Sequence, residues 1–289
     1  MYKILLPITN VPELVWQKLK DLKGYEESLI VVNNWTVPEI AQCAQEFADQ
    51  GAEVWDCSYN LGLGATWNFG MQRMKEDNCD FVIFLAPSAI FTKSIQYFID
   101  AILEKENKEN RCRYVCSKKA TLHCFAHTRY GLELGGLFDE NFWPIYYEDT
   151  DYCHRSKFNG IGKLPSRISE RSSMNIDEVG EVVNLNLNDV VYSQSFSVSC
   201  REDASLMDLH MRNCNRWTEY YVAKWGGQHG SEQYRTPFGN PDTDINRWEN
   251  RGGFWHPDYP TGWLPPSPSK RILPSTNLDE KEESIMGDS

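Results

Sequence analysis

Apolar residues fall in short unbroken runs, separated by longer stretches in which they recur every three or four positions. The runs Tyr2 to Ile8, Ser28 to Val32, Ala52 to Cys57 and Asp80 to Leu85 predict strands buried on both faces. The stretches Pro12 to Leu22, Val37 to Gln50, Gly64 to Lys75 and Ser94 to Lys105 predict amphipathic helices. Leu14, Val15, Leu19 and Leu22 share one face of the first, and Pro38 suits the opening turn of the second. The alternation implies an α/β fold: a mostly parallel central sheet covered by helices. Such a sheet takes ligands beyond the carboxyl ends of its strands. The loops at Thr9-Asn10, Asn33-Asn34, Asn60 to Gly64 and Ala86 to Ser88 all follow strands and should gather at that rim.

The second half is less regular. Arg113 to Thr128 predicts further strands, and Lys163 to Glu202 is polar with a strand at Asp189 to Tyr192. Met207 to Trp225 reads as a helix stopped by Gly226-Gly227. From Thr236 the chain is rich in Pro, Gly and Trp, an ordered irregular wrap around the domain. Asn277 to Ser289 is acidic and polar, and is expected to be disordered. The expected organisation is a catalytic-type domain over 1–230, a Trp/Pro/Gly-rich extension over 231–275 and a tail over 276–289.

Composition narrows the function classes only slightly. The 289 residues are 41% hydrophobic and carry 10 Trp, enough for a sizeable core and aromatic-lined surfaces. A formal charge of -12 argues against nucleic acid or an acidic membrane surface as partner. No segment approaches the ~20 apolar residues of a membrane span. Nine cysteines without a C-x-x-C pair are expected to be reduced thiols, which with the missing signal layout predicts a cytoplasmic location.

Two segments carry the chemistry. The first, Gly135-Gly136-Leu137-Phe138-Asp139-Glu140, leads through an aromatic run to Tyr147-Glu148-Asp149-Thr150-Asp151 and Arg155. A carboxylate beside aromatic walls can accept a proton from a sugar hydroxyl, because partial desolvation strengthens it as a base. Acidic residues also open helices by complementing the backbone dipole, which is the competing structural account. The second segment, Asn60-Leu61-Gly62-Leu63-Gly64 with Asn68 and Gly70, lets backbone approach a flat ligand closely. It lacks the third glycine of a dinucleotide fingerprint.

Over roughly Tyr2 to Gly162, these two segments resemble the nucleotide-sugar-dependent glycosyltransferases of the GT-A fold, in particular inverting family 2. The resemblance implies a transferase of hexosyl or deoxyhexosyl type in glycan biosynthesis. Its donor would be a nucleotide-diphosphate sugar, and its acceptor a glycan or other hydroxyl compound. Asp149 would be the general base, with Glu148 orienting it or the acceptor. Thr9, Asn10, Asn33, Asn60, Gly62, Gly64, Asn68 and Ser88 would line the donor site. Trp143 and Tyr146 would stack on the acceptor sugar, Arg155 would hold the acidic segment, and Asp151 would either do likewise or assist Asp149 at the acceptor.

The chain departs from the family pattern at the metal. Ser88 stands where relatives carry an Asp that helps hold a divalent ion, and no His occurs around Val190 to Ser195. A hydroxyl is a poor ligand for Mn2+ or Mg2+. Either ion remains possible, yet no metal ligand is assigned and a metal-independent donor site is expected. Lys224, with Arg212 and Arg216 behind it, is then the candidate to neutralise the departing diphosphate. Asn33 also replaces an Asp that relatives often use near the nucleobase. Two alternatives stay open: an inactive GT-A-like carbohydrate-binding or assembly module, and, more remotely, a nucleotidyltransferase.

Overall fold

The computed structural model describes residues 1–34, 37–57, 60–109, 113–115, 123–159, 182–184, 191–193, 204–246 and 270–275. Its centre is an eight-stranded sheet in the order β10-β3-β2-β1-β4-β7-β6-β8. Strands β1 (Tyr2–Ile8), β2 (Leu29–Asn33), β3 (Glu53–Asp56) and β4 (Phe81–Leu85) run parallel, with a helical crossover between each and the next. Strand β7 (Cys124–Thr128) returns antiparallel to β4, and β6 (Arg113–Val115) antiparallel to β7. Strand β8 (Val182–Asn184) lies parallel to β6. At the other edge β10 (Lys270–Ile272) runs antiparallel to β3. A separate ribbon pairs β5 (Ala89–Phe91) with β9 (Val191–Ser193).

The expected mixed α/β architecture, a central sheet flanked by helices, is therefore present. One face of β1 puts Ile4, Leu6 and Ile8 against α1 (Pro12–Asp21), α2 (Pro38–Asp49) and α4 (Gln96–Glu109). The other face packs Leu5, with Ile30 and Val32 of β2, against α3 (Leu63–Glu76), α5 (Arg129–Gly135) and α6 (Glu148–Ser156). Gly70 is what lets α3 lie so close: a Cβ there would stand 2.5 Å from Leu5 Cδ2. A third apolar cluster joins Phe142 to Trp217, Tyr220, Tyr221 and Trp225 of the long helix α7 (Ala204–Trp225).

The predicted strands and helices of the first half stand within two residues at nearly every boundary; α4 extends further, to Glu109. The part of the Trp/Pro/Gly-rich stretch over 236–246 packs against α5 and α7, and Arg155 of α6 reaches Asn246. Its remainder, with Trp255 and Trp263, and the tail over 276–289 lie outside the described residues. Among the described residues, no helix is long and apolar enough to cross a membrane.

Candidate active site

Because β1 to β4 are parallel, their carboxyl ends form one rim, and the loops after them meet there. The backbone N–H of Asn34 donates to Ile8 O and that of Cys57 to Asn33 O, tying three of these loops together. Asn33 is buried, and its side-chain amide donates to Asp56 Oδ1 at 2.7 Å. Asp56, missed in the sequence, is thereby held at the end of β3. Asn34 donates to Thr66 Oγ1 in the first turn of α3. Thr9 and Asn10 follow β1 on the same rim, half-buried.

The glycine turn and the acidic segment come together, as expected. Gly62 has φ 82° and caps α3; a Cβ there would meet Trp143 Cδ1 at 2.8 Å and Pro144 O at 2.9 Å. A Cβ on Gly64 would find Glu148 Cβ at 3.8 Å, an ordinary contact. Asn60 shapes the turn through Oδ1, which accepts from Gly62 N, and its carbonyl accepts from Trp143 Nε1 at 2.7 Å. The first turn of α3 is also tied down by Thr66 Oγ1, which donates to Gly62 O.

The acidic helix α6 begins after a strained turn. Tyr146 and Tyr147 have φ 82° and 71°. Left-handed backbone is costly for bulky side chains, roughly 1–3 kcal/mol each, and persists only where surroundings enforce it. Here Tyr147 OH hydrogen-bonds Thr218 Oγ1, its ring stacks on Phe142, and Tyr146 leans on Trp217. Trp143 and Tyr146 are half-buried.

The two leading carboxylates differ in setting. Glu148 is buried, and burial first, then the neighbouring Asp149 charge, raise its pKa well above the usual carboxyl value. Its Oε2 has no hydrogen-bond partner among the described residues. Asp149 is half-buried; its Oδ1 accepts from Thr150 N and Thr150 Oγ1 at 2.6 and 3.1 Å. One carboxyl is thus pushed towards its neutral form while the other remains partly accessible.

Three expected ligand contacts are corrected by the packing. Lys224 is fully buried, and its Nζ lies 2.8 Å from Asp139 Oδ2 and 2.6 Å from Asp151 Oδ1. A cation committed to two interior carboxylates cannot neutralise a diphosphate at the rim. Asp151 is likewise fully buried, bound by Arg155 Nε at 2.8 Å and Trp225 Nε1 at 2.9 Å, so it does not reach an acceptor. Burial raises its pKa, but Lys224 and Arg155 outweigh this and hold the carboxyl below the usual range. Asn68 spends both amide hydrogens on Phe138 O and Glu140 Oε1, and its Oδ1 accepts from Phe138 N. It braces the acidic segment from α3 instead of touching a donor. Arg155 does hold that segment, also donating to Gly135 O and Leu137 O at 3.0 and 2.8 Å. Arg216 is half-buried on α7, and the Arg212 side chain lies outside the described residues.

Ser88 Oγ lies 3.0 Å from Nδ1 of His123, which precedes β7 on the same rim. Among the described residues, no three His, Cys, Asp or Glu side chains converge where they could hold a cation. The side chains around Ser88 therefore do not fit a carboxylate-held divalent ion.

No family model matches the chain, and no curated protein matches it. Similar solved structures include the mannosyltransferase PcManGT from Pyrobaculum calidifontis in complex with GDP-Man and Mn2+, at 13% identity and a TM-score of 0.43. That likeness covers 54% of this chain and 52% of the other, so the chain spans about half the length of that protein. S. aureus TarS 1-349 is similar at 11% identity and a TM-score of 0.46, over 66% of this chain and 60% of that one. A cytidylyltransferase from Leptospira borgpetersenii is similar at 15% identity and a TM-score of 0.39, over 74% of this chain and 95% of that one. A mannosyltransferase, a galactosyltransferase and a cytidylyltransferase are thus among the solved structures that this chain resembles in part.

Proposed function

We propose that this chain is an inverting glycosyltransferase that moves a sugar from a nucleotide-diphosphate donor to an acceptor hydroxyl. The observation that carries the reading is the junction of the glycine turn with the start of α6. Gly62 lies against Trp143 and Pro144, and Gly64 against Glu148, at the carboxyl rim of a parallel sheet. A donor lying on that rim has its nucleotide beside Thr9, Asn10 and the Asn33–Asp56 pair, and its sugar towards α6.

Asp149 accepts the proton of the acceptor hydroxyl as that oxygen attacks the anomeric carbon from the face opposite the diphosphate. The glycosidic bond breaks, and its electron pair leaves with the diphosphate. Glu148, driven towards its neutral form, keeps a second full negative charge away from Asp149 and can orient the acceptor. The half-buried faces of Trp143 and Tyr146 supply a stacking wall for the acceptor sugar.

The test is Asp149→Asn, assayed with a panel of nucleotide-diphosphate sugars. Transfer should fall by roughly 10²–10⁴-fold, the usual contribution of a general base. Nucleotide affinity should stay unchanged. Transfer at the wild-type rate in this variant would rule out the assignment.

A further inference from the structure

The segment from Asp139 to Asp151 contains the aromatic wall, both left-handed tyrosines and the acid pair. Its two ends meet on one ammonium group, since Lys224 Nζ touches Asp139 Oδ2 at 2.8 Å and Asp151 Oδ1 at 2.6 Å. Two further contacts complete the anchorage: Tyr220 OH donates to Asp139 Oδ2, and Trp225 Nε1 donates to Asp151 Oδ1. Arg155 neutralises the second carboxylate, so two anions and two cations balance in the interior.

The same helix holds the middle of the segment. Trp217 Nε1 donates to Trp143 O at 2.9 Å, Tyr147 OH meets Thr218 Oγ1, and Asn141 Nδ2 donates to Tyr220 OH. Helix α7 thus contacts the segment at its start, at its middle and at its end. A buried ion cluster is weak evidence for stability, because desolvation offsets much of its Coulomb attraction. What it does supply is fixed geometry. The loop cannot shift along α7 without parting a buried charge pair.

We propose that Lys224 is a positioning residue for the transfer reaction. It fixes Asp149 relative to the glycine turn by clamping both ends of residues 139–151, and does so without touching substrate. The role rests on the glycosyltransferase reading, but the clamp can be tested without it.

The test compares Lys224→Met with the double variant Lys224→Met/Asp139→Asn. The single change leaves two interior carboxylates with one cation, so melting temperature and transfer should both fall. The double change restores charge balance without restoring the clamp. The melting temperature should then recover towards wild type, while kcat stays about 100-fold low, the loss typical of a displacement of an ångström or so. The affinity for UDP or GDP, whichever binds the wild type, should stay unchanged. Hydrogen–deuterium exchange over 140–150 should remain faster than in wild type. Recovery of kcat together with melting temperature, or wild-type exchange over 140–150, would overturn the clamp. If the double variant fails to refold, Lys224→Arg keeps the test alive: it retains charge but alters reach, and should fold normally with lowered kcat and faster exchange. Wild-type kcat and exchange in that variant would again overturn the clamp. A wild-type protein that transfers no sugar, combined with faster exchange in the variants, would support the clamp and refute the transferase reading.

Discussion

The backbone N–H of Leu63 donates to the carbonyl oxygen of Pro144 at 2.8 Å, joining the first residue of α3 to the wall that precedes the acid pair. The glycine turn and the aromatic wall are therefore one unit: a change on either side moves both.

Gly62→Ala tests that unity. The new methyl meets Trp143 and Pro144 below 3.0 Å at a backbone φ of 82°. That backbone, at φ 82° and ψ 164°, alone costs roughly 1–3 kcal/mol for a residue with a Cβ. Urea unfolding should show at least that loss, and transfer should drop together with nucleotide affinity. Gly64→Ala, whose methyl finds only ordinary contacts, should lose much less.

Arg155→Met should be among the most damaging single changes. It removes one of the two cations on Asp151 and the donors to Gly135 O and Leu137 O. Breaking a buried pair from one side costs roughly 3–5 kcal/mol. The acid limb should move as well. Asp151 is held below the usual carboxyl range, so it contributes stability above the unfolded pKa that is lost as pH falls through the folded one. Without Arg155 the folded pKa rises and that contribution shrinks, which urea titrations at several pH values would show.

Glu140 has the opposite sign. Burial, with the Asp139 charge adding to it and the Asn68 hydrogen bond opposing it, pushes the carboxyl up to about 7 from 4.5. Between these values the folded chain binds more protons than the unfolded one, so this residue's share of stability falls as pH rises from 4.5 to 7. Glu140→Gln keeps an acceptor for Asn68 and removes the titration. The variant should gain up to about 3 kcal/mol over wild type at pH 8 and little at pH 4.5. Denaturant midpoints at the two pH values check it.

The Ser88–His123 contact predicts the metal response. Calorimetric titrations with UDP and with GDP should give the same affinity in Mn2+ as in EDTA. Binding that requires Mn2+ would mean that a carboxylate elsewhere holds the ion.

The sheet was legible because strands buried on both faces read as continuous apolar runs, and the helices between them keep a helical period. Strand β10 was not, because Lys270-Arg271-Ile272 offers one apolar residue after two charged ones and takes its form from the open edge of β3. Helix α5 was hidden between a strand and a glycine pair. In the site, the meeting of the glycine turn with the acidic segment was expected because both segments resemble parts of one family's site. The left-handed turn at Tyr146 and Tyr147 carried no glycine to announce it. The sequence shows that Lys224 is a cation near the end of a helix. Whether it faces a ligand or two buried aspartates depends on how α7 docks, and that is decided by residues far away. Asp56 was overlooked because one acid at a strand end gains meaning only when Asn33 is seen to hold it.

Strand β10 also bears on how the chain acquires its shape. Its neighbour Leu273 accepts a hydrogen bond from Gln45, 228 positions earlier, and Ser275 binds the Asp49 carboxylate. Contacts so distant along the chain form late, since loop closure must precede any gain from them. As the chain leaves the ribosome, β1 to β4 can already have assembled while the outer edge of β3 waits unpaired. An unpaired edge is a template for strands of other chains. The interval before residues 270–275 arrive is therefore when newly made protein is most exposed to aggregation.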